Sequence, residues 1–319
     1  MTALTPGRTD APARIAQRLA PLRRRLPSGR TLAIAAPYLW LLLFFLVPFV
    51  VVLKISFSKM VIAQPPYTDF FVWGEGLLPE IQAYLTNYAW LFQDPLYWIA
   101  YLSSVKIALL STAGCLIIGY PMAYGIARAR PTARTLLLLM VVLPFWTSFL
   151  LRVYAWIGIL KNKGLLNAAL LATGIIDQPL SILHSNTAVY IGIVYSYLPF
   201  MILPLYATLE KLNRELLEAA TDLGARPWKA FVTVTLPLSL PGILAGSLLV
   251  FIPAVGEFVI PALLGGPETL MIGHVLWDEF FSNRDWPVAS AVAIVLIVVL
   301  VVPIVLFQRQ QLRVSEAVS

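Results

Sequence analysis

The sequence predicts an all-α, polytopic membrane protein with six transmembrane helices. Three observations carry this. Hydrophobic residues make up 59% of the 319 and charged residues only 12%, about half the charged share of a soluble domain. The apolar residues gather into six runs, near or above the roughly 20 residues that a helix needs to cross a bilayer. Basic residues then crowd into alternate loops, as the topology of inserted helices requires.

The first span is expected from Ala33 to Leu53, with Pro37 and Pro48 inside it. The second covers about Ile99–Ala127, the third Thr135–Leu151 and the fourth Thr187–Leu209. The fifth covers about Leu238–Leu264 and the sixth Pro287–Phe307. The apolar piece Leu165–Ile176 is too short to cross and reads as interfacial or re-entrant. Lys106, just inside the second span, is expected to reach back to the surface. Residues 1–30 form an Arg-rich tail, 31–310 the membrane domain and 311–319 a second tail.

Loop charges set the orientation. Seven arginines (Arg8, Arg14, Arg18, Arg23, Arg24, Arg25 and Arg30) precede the first span with only Asp10 among them. The turn after the second span holds Arg128, Arg130 and Arg134 and no acid. The loop before the last span holds Arg284 against Glu268, Asp278, Glu279 and Asp285. Lys161 and Lys163 run against the pattern but are outnumbered. The reading puts both termini and Glu218 in the cytoplasm, with Trp73 and Trp277 outside. The net charge of +7 is thereby a topology signal, and no nucleic-acid partner is expected.

Other classes find little support. The single cysteine, Cys115, excludes an intrachain disulfide. His184 and His274 lie far apart without a nearby cysteine, so no metal site is expected. No Gly-x-Ser-x-Gly elbow serves an intramembrane enzyme. A secondary carrier predicts inverted repeats, and none is visible. None of the 18 glycines precedes a lysine, so the chain has no phosphate-binding loop of the Gly-Lys-Ser/Thr kind. No cofactor is expected in this chain.

The most organised polar stretch runs from about 208 to 237. Leu209, Leu212, Leu216, Leu217 and Ala220 share one face of a helical pattern from Thr208 to Ala220. Gly224 can turn the chain through a positive backbone angle, and Pro227 suits the first turn of a second helix. The spacing is Glu218-Ala219-Ala220, three residues, Gly224, nine residues, Val234, one residue, Leu236-Pro237. This resembles the cytoplasmic coupling loop of ABC importer permeases, which has isoleucine where Val234 stands. The resemblance implies the type I permease fold and a protrusion that docks on a separate ATPase. It also implies two copies of that ATP-binding subunit, which hold ATP and magnesium. A second permease (a paralogue) and a periplasmic solute-binding protein complete the implied complex, in the bacterial inner membrane.

Three further stretches resemble spermidine/putrescine permeases: Gly119–Tyr124, Leu143–Arg152 and Gly256–Gly266. The implied solute is a polyamine. Permeases for other organic cations, opine-like compounds and some anions share this vocabulary, and a secondary carrier is a distant alternative. Ammonium groups call for carboxylates and aromatic faces. Glu257 is the acid well inside an apolar span, and such charges mark a pathway or a pair. It is expected either to face the solute or to pair with Arg152 or Lys106. Trp146, Tyr154, Tyr195 and Tyr197 offer aromatic surface, and Trp277, Asp278 and Glu279 lie in the acidic outer loop. These aromatics serve equally as interfacial belt residues.

Overall fold

The computed structural model describes residues 29–72, 80–213 and 215–318. The arginines up to Arg25, as well as Trp73 and Arg214, lie outside the described residues. The chain divides into two compact units after Lys54. In the first, α1 (Gly29–Leu41) runs through a π-turn (Leu42–Leu46) into α2 (Val47–Ser56), whose last two residues already belong to the second unit. The apolar stretch Ala33–Ser56 is long enough to cross a bilayer.

The second unit begins with a small polar entry. Two-residue strands β1 (Phe71–Val72) and β2 (Glu80–Ile81) pair antiparallel, and α3 (Thr86–Gln93) follows. Asp94 then caps α4 (Pro95–Arg128), its side chain accepting from the Leu96 N–H at 2.8 Å. The helix has 34 residues. At about 1.5 Å per residue it exceeds the roughly 30 Å hydrocarbon core and must project beyond it.

The centre of this unit is α8 (Asn186–Leu209), packed between α4 and α12 (Leu240–Val255). Close approach explains the glycines. A Cβ on Gly246 would come within 2.9 Å of Met201 Sδ, and one on Gly242 within 2.6 Å of Thr208 Oγ1. Small residues at such crossings let backbones touch, which is how helices gain packing in lipid. α15 (Trp286–Val318) closes one side, where Tyr101 donates to the Val292 carbonyl at 2.7 Å.

Among the described residues, four helices are long and apolar enough to cross, and six spans result when each of two bent pairs counts as one. The first bend interrupts the third span expected from hydropathy, and the second lies at the start of the fifth. α5 (Pro131–Val142) tightens into a 3-10 turn (Leu143–Trp146), stops, and resumes as α6 (Phe149–Leu160). The third span thus bends by 92° between the segments Pro131–Trp146 and Phe149–Ala172. Pro144 has no N–H to continue the ladder, and its carbonyl is taken by the Thr147 hydroxyl at 2.8 Å. The short apolar piece forms α7 (Leu165–Ala172).

The fifth span ends its long helix at Val255 rather than continuing to Leu264. Gly256, Glu257 and Phe258 are non-helical or transitional, and α13 (Val259–Leu264) is a separate helix. After it comes α14 (Ile272–Trp277), leading into a π-turn (Asp278–Ser282). The continuous helix expected from Thr208 to Ala220 is also interrupted. α8 stops at Leu209, and α9 covers Glu215–Asp222. Asn213 makes the difference: its Oδ1 accepts from the Glu215 N–H at 3.0 Å, the local bond that diverts a chain into a fresh helix start.

Candidate functional site

Two places concentrate unusual chemistry. The first is a cavity of about 500 Å³ where the broken spans converge. Phe145, Phe149 and Arg152 reach it from the third span, Ser196, Tyr197 and Phe200 from α8, and Gly256–Val259 from the break in the fifth.

Glu257 organises that break. Its Oε1 accepts from the N–H groups of Phe258, Val259 and Ile260 at 3.2, 3.0 and 3.4 Å. These are donors that a helix start leaves without partners, and a negative charge suits that end of the helix. Oε2 accepts a short hydrogen bond from the Tyr197 hydroxyl. The residue is 7% exposed. Against the expectation of an ion pair, neither Arg152 nor Lys106 is its partner: Glu257 is satisfied by a cap and a phenol. The backbone behind it is held from α14, because Gly273 sits against the carbonyls of Gly256 and Glu257, where a Cβ would not fit.

Arg152 has a different situation. Its guanidinium lies 5.1 Å from the Phe145 ring centroid and 5.8 Å from that of Phe149, the geometry of cation–π contact. Its buried Nε has no hydrogen-bond partner, and neither does the buried Ser196 Oγ. Two unsatisfied donors thus border the cavity. The aromatic lining beyond Tyr197 is Phe145, Phe149, Phe200 and Phe258; three of these lie in the stretches Leu143–Arg152 and Gly256–Gly266, but none was expected to line a pathway.

The remaining expected pathway residues scatter. Trp146 and Tyr154 are 79% and 51% exposed and do not line the cavity. Trp277 stacks on Phe258, with centroids 4.4 Å apart and planes 9° from parallel, so it touches the break from outside. Asp278 pairs with His274 at 3.7 Å. Glu279 is buried, taking hydrogen bonds from Tyr97 at 2.9 Å and Asn283 at 2.9 Å. Next to it, burial holds Asp285 above the usual carboxylate range. Glu279 adds to that rise, and the Val288 N–H opposes it.

The second place is the loop from α9 to α12. Gly224 has φ of 84°. Gly224 N–H donates to Thr221 O at 2.9 Å and Ala225 N–H to Ala220 O at 3.0 Å, the paired bonds of a Schellman stop. α10 (Pro227–Ala230) then starts with proline in its first turn and passes through a π-turn (Phe231–Thr235) into α11 (Leu236–Leu238). The segment Pro227–Leu238 meets α12 at 63°. Glu218, Ala219 and Pro237 are exposed, while Ala220 and Leu236 are half-buried. Leu216, Leu223 and Trp228 are 48%, 89% and 65% exposed. Phe231 ties the loop to the bundle, edge-on to Tyr120 at 5.6 Å and Tyr124 at 5.8 Å.

A bundle of bent and broken spans around a lined cavity, with a rigid apolar knuckle at one end, defines a membrane permease subunit rather than an enzyme. The chain belongs to the family described as binding-protein-dependent transport system inner membrane component, whose model matches residues 115–313. It is therefore a multi-pass inner-membrane protein. It is 40% identical over 280 residues to the spermidine/putrescine transport system permease protein PotB of Salmonella typhimurium, spanning 88% of this chain and 93% of that one. It is 42% identical over 278 residues to PotB of Haemophilus influenzae, spanning 87% and 92%. An inner membrane ABC transporter permease protein of Escherichia coli, YdcU, is 33% identical over 248 residues, with 73% and 77% covered. Among solved structures, a bacterial ABC transporter involved in alginate import shares the fold. The TM-score is 0.63 at 18% identity, covering 94% of this chain and 99% of that one.

Proposed function

We propose that this chain is one channel-forming subunit of an ATP-driven importer whose solute is a polyamine, spermidine or putrescine. The observation that carries the solute class is the 40–42% identity to PotB along nearly the full length of both chains. The exposed knuckle Glu215–Ala230 supports the mode of drive. Large apolar side chains held out on a rigid two-helix turn are a surface for a protein partner. That partner is the ATPase, in two copies, which binds ATP and magnesium. A paralogous permease completes the channel, and a periplasmic solute-binding protein delivers the solute. Both termini and Glu218 face the cytoplasm, in keeping with the basic loops.

The test is uptake of labelled spermidine and putrescine by the assembled complex in proteoliposomes, with ATP supplied on the knuckle side. Competition by unlabelled polyamine is expected, and indifference to both polyamines refutes the solute class. Membrane-impermeant labelling of a cysteine at position 218 from outside intact cells refutes the orientation. A second reading, a solute carrying an anionic or carbonyl group, draws on Arg152. The cavity offers its unsatisfied Nε, whereas both oxygens of Glu257 are already bonded.

A further inference from the structure

The knuckle has a mechanical problem. α9 packs mainly on α10 and the following π-turn, its own loop, rather than on the membrane helices. Besides the chain itself, which continues through α11 into α12, force applied to it can enter the bundle by two routes. One is Phe231, wedged against Tyr120 and Tyr124 on α4. The other is the turn between α8 and α9, which begins at Glu210 and would swivel if left free.

That turn is fastened. Arg134, in the first turns of α5, places Nη1 at 2.5 Å from Glu210 Oε1. Its Nη2 donates to the Ala127 carbonyl at the end of α4, at 3.2 Å. One guanidinium thus joins the ends of the second, third and fourth spans at the root of the knuckle. The same groups border a cavity of about 240 Å³ whose wall includes Leu212 and Leu217 from the turn and α9. A planar guanidinium with several fixed donors suits such a three-way tie, which a lysine ammonium does not reproduce.

We propose that Arg134 and Glu210 are positioning residues for energy coupling: their ion pair stiffens the α8–α9 turn so that movement of the knuckle reaches the spans. The proposal rests on the knuckle being the ATPase docking element. The pair is partly exposed, with side chains at 24% and 40%, so its effect is bounded.

The experiment uses the complete complex, with ATPase, second permease and binding protein, and reads solute imported per ATP hydrolysed. Arg134→Gln and Glu210→Gln are each expected to lower that ratio roughly three- to fivefold, the factor a partly exposed ion pair supports. The exchange Arg134→Glu with Glu210→Arg rebuilds the ion pair but not the bond to the Ala127 carbonyl, and is expected to restore part of the loss. An unchanged ratio in both single variants overturns the proposal, including the case where complex yield and uptake fall together. A lowered ratio that the exchange does not restore overturns it too. Glu218→Lys, run in parallel, tests the docking reading separately: full uptake with normal ATPase association in that variant removes the premise whatever Arg134 does.

Discussion

Two short helices in this chain open with carboxylates, and the two have opposite surroundings. At α13, Glu257 is buried, and both of its oxygens are bonded within the chain. At α9, Glu215 and Glu218 occupy the first turn, and no residue of the helix is buried. In both cases the negative charge suits a helix start. The difference lies in the solvent. Inside a bilayer the backbone N–H groups freed at a helix break need partners in the protein, and Glu257 supplies one for the backbone it caps. At a wet surface no such pressure exists, and Leu223 and Trp228 stand exposed beside the acids. The saturated carboxylate serves the architecture, whereas the acids of α9 leave an exposed face available to the proposed partner.

The largest effect is expected at the knuckle. Glu218→Lys, or Gly224→Val at φ of 84°, is expected to reduce uptake roughly tenfold or more, as loss of an interface hot spot does. Membrane insertion should be unchanged. Full uptake with normal ATPase co-purification in both variants shows that the exposed face docks nothing essential.

At the break, Glu257→Gln weakens a charged cap and the bond from Tyr197. The expected cost is about 2 kcal/mol of stability, typical of hydrogen bonds to a charged group. Uptake should fall only as far as complex yield falls. Lost uptake at full yield and unchanged thermal stability shows instead that Glu257 meets the solute. Tyr197→Phe sharpens the point with a smaller effect, about 1 kcal/mol, because the cap itself survives. Thermal unfolding of the purified complex measures both.

The smallest effect concerns Asp285. Its folded-state pKa is raised, chiefly by burial, so the folded chain holds its proton more tightly than the unfolded one. Stability at this site therefore falls as pH rises through the folded pKa. Asp285→Asn keeps an acceptor for the Val288 N–H and removes the charge. A slight rise in melting temperature at neutral pH is expected, together with loss of this residue's share of the pH dependence.

The knuckle was legible in the sequence because its determinants are local. Gly224 supplies the left-handed turn and Pro227 the next helix start, each within a few residues of where it acts. Asn213 was legible in principle, yet the apolar period through Leu209, Leu212 and Leu216 masked it. The cavity was far less legible. Hydropathy averages over side chains, so although Pro253 and Pro261 suggest that the run Leu238–Leu264 is kinked or interrupted, it does not say where the backbone breaks or what gathers there.

The amino-acid sequence alone was enough for an all-helical membrane protein, the approximate places of its spans and the glycine turn of the knuckle. Those properties follow from composition, period and turn chemistry, which need no distant neighbour. Only the tertiary structure decided which polar groups meet. Tyr197 and Glu257 are 60 residues apart, Arg134 and Glu210 are 76 apart, and Tyr97 and Glu279 are 182 apart. The partner each takes is set by which helices pack side by side.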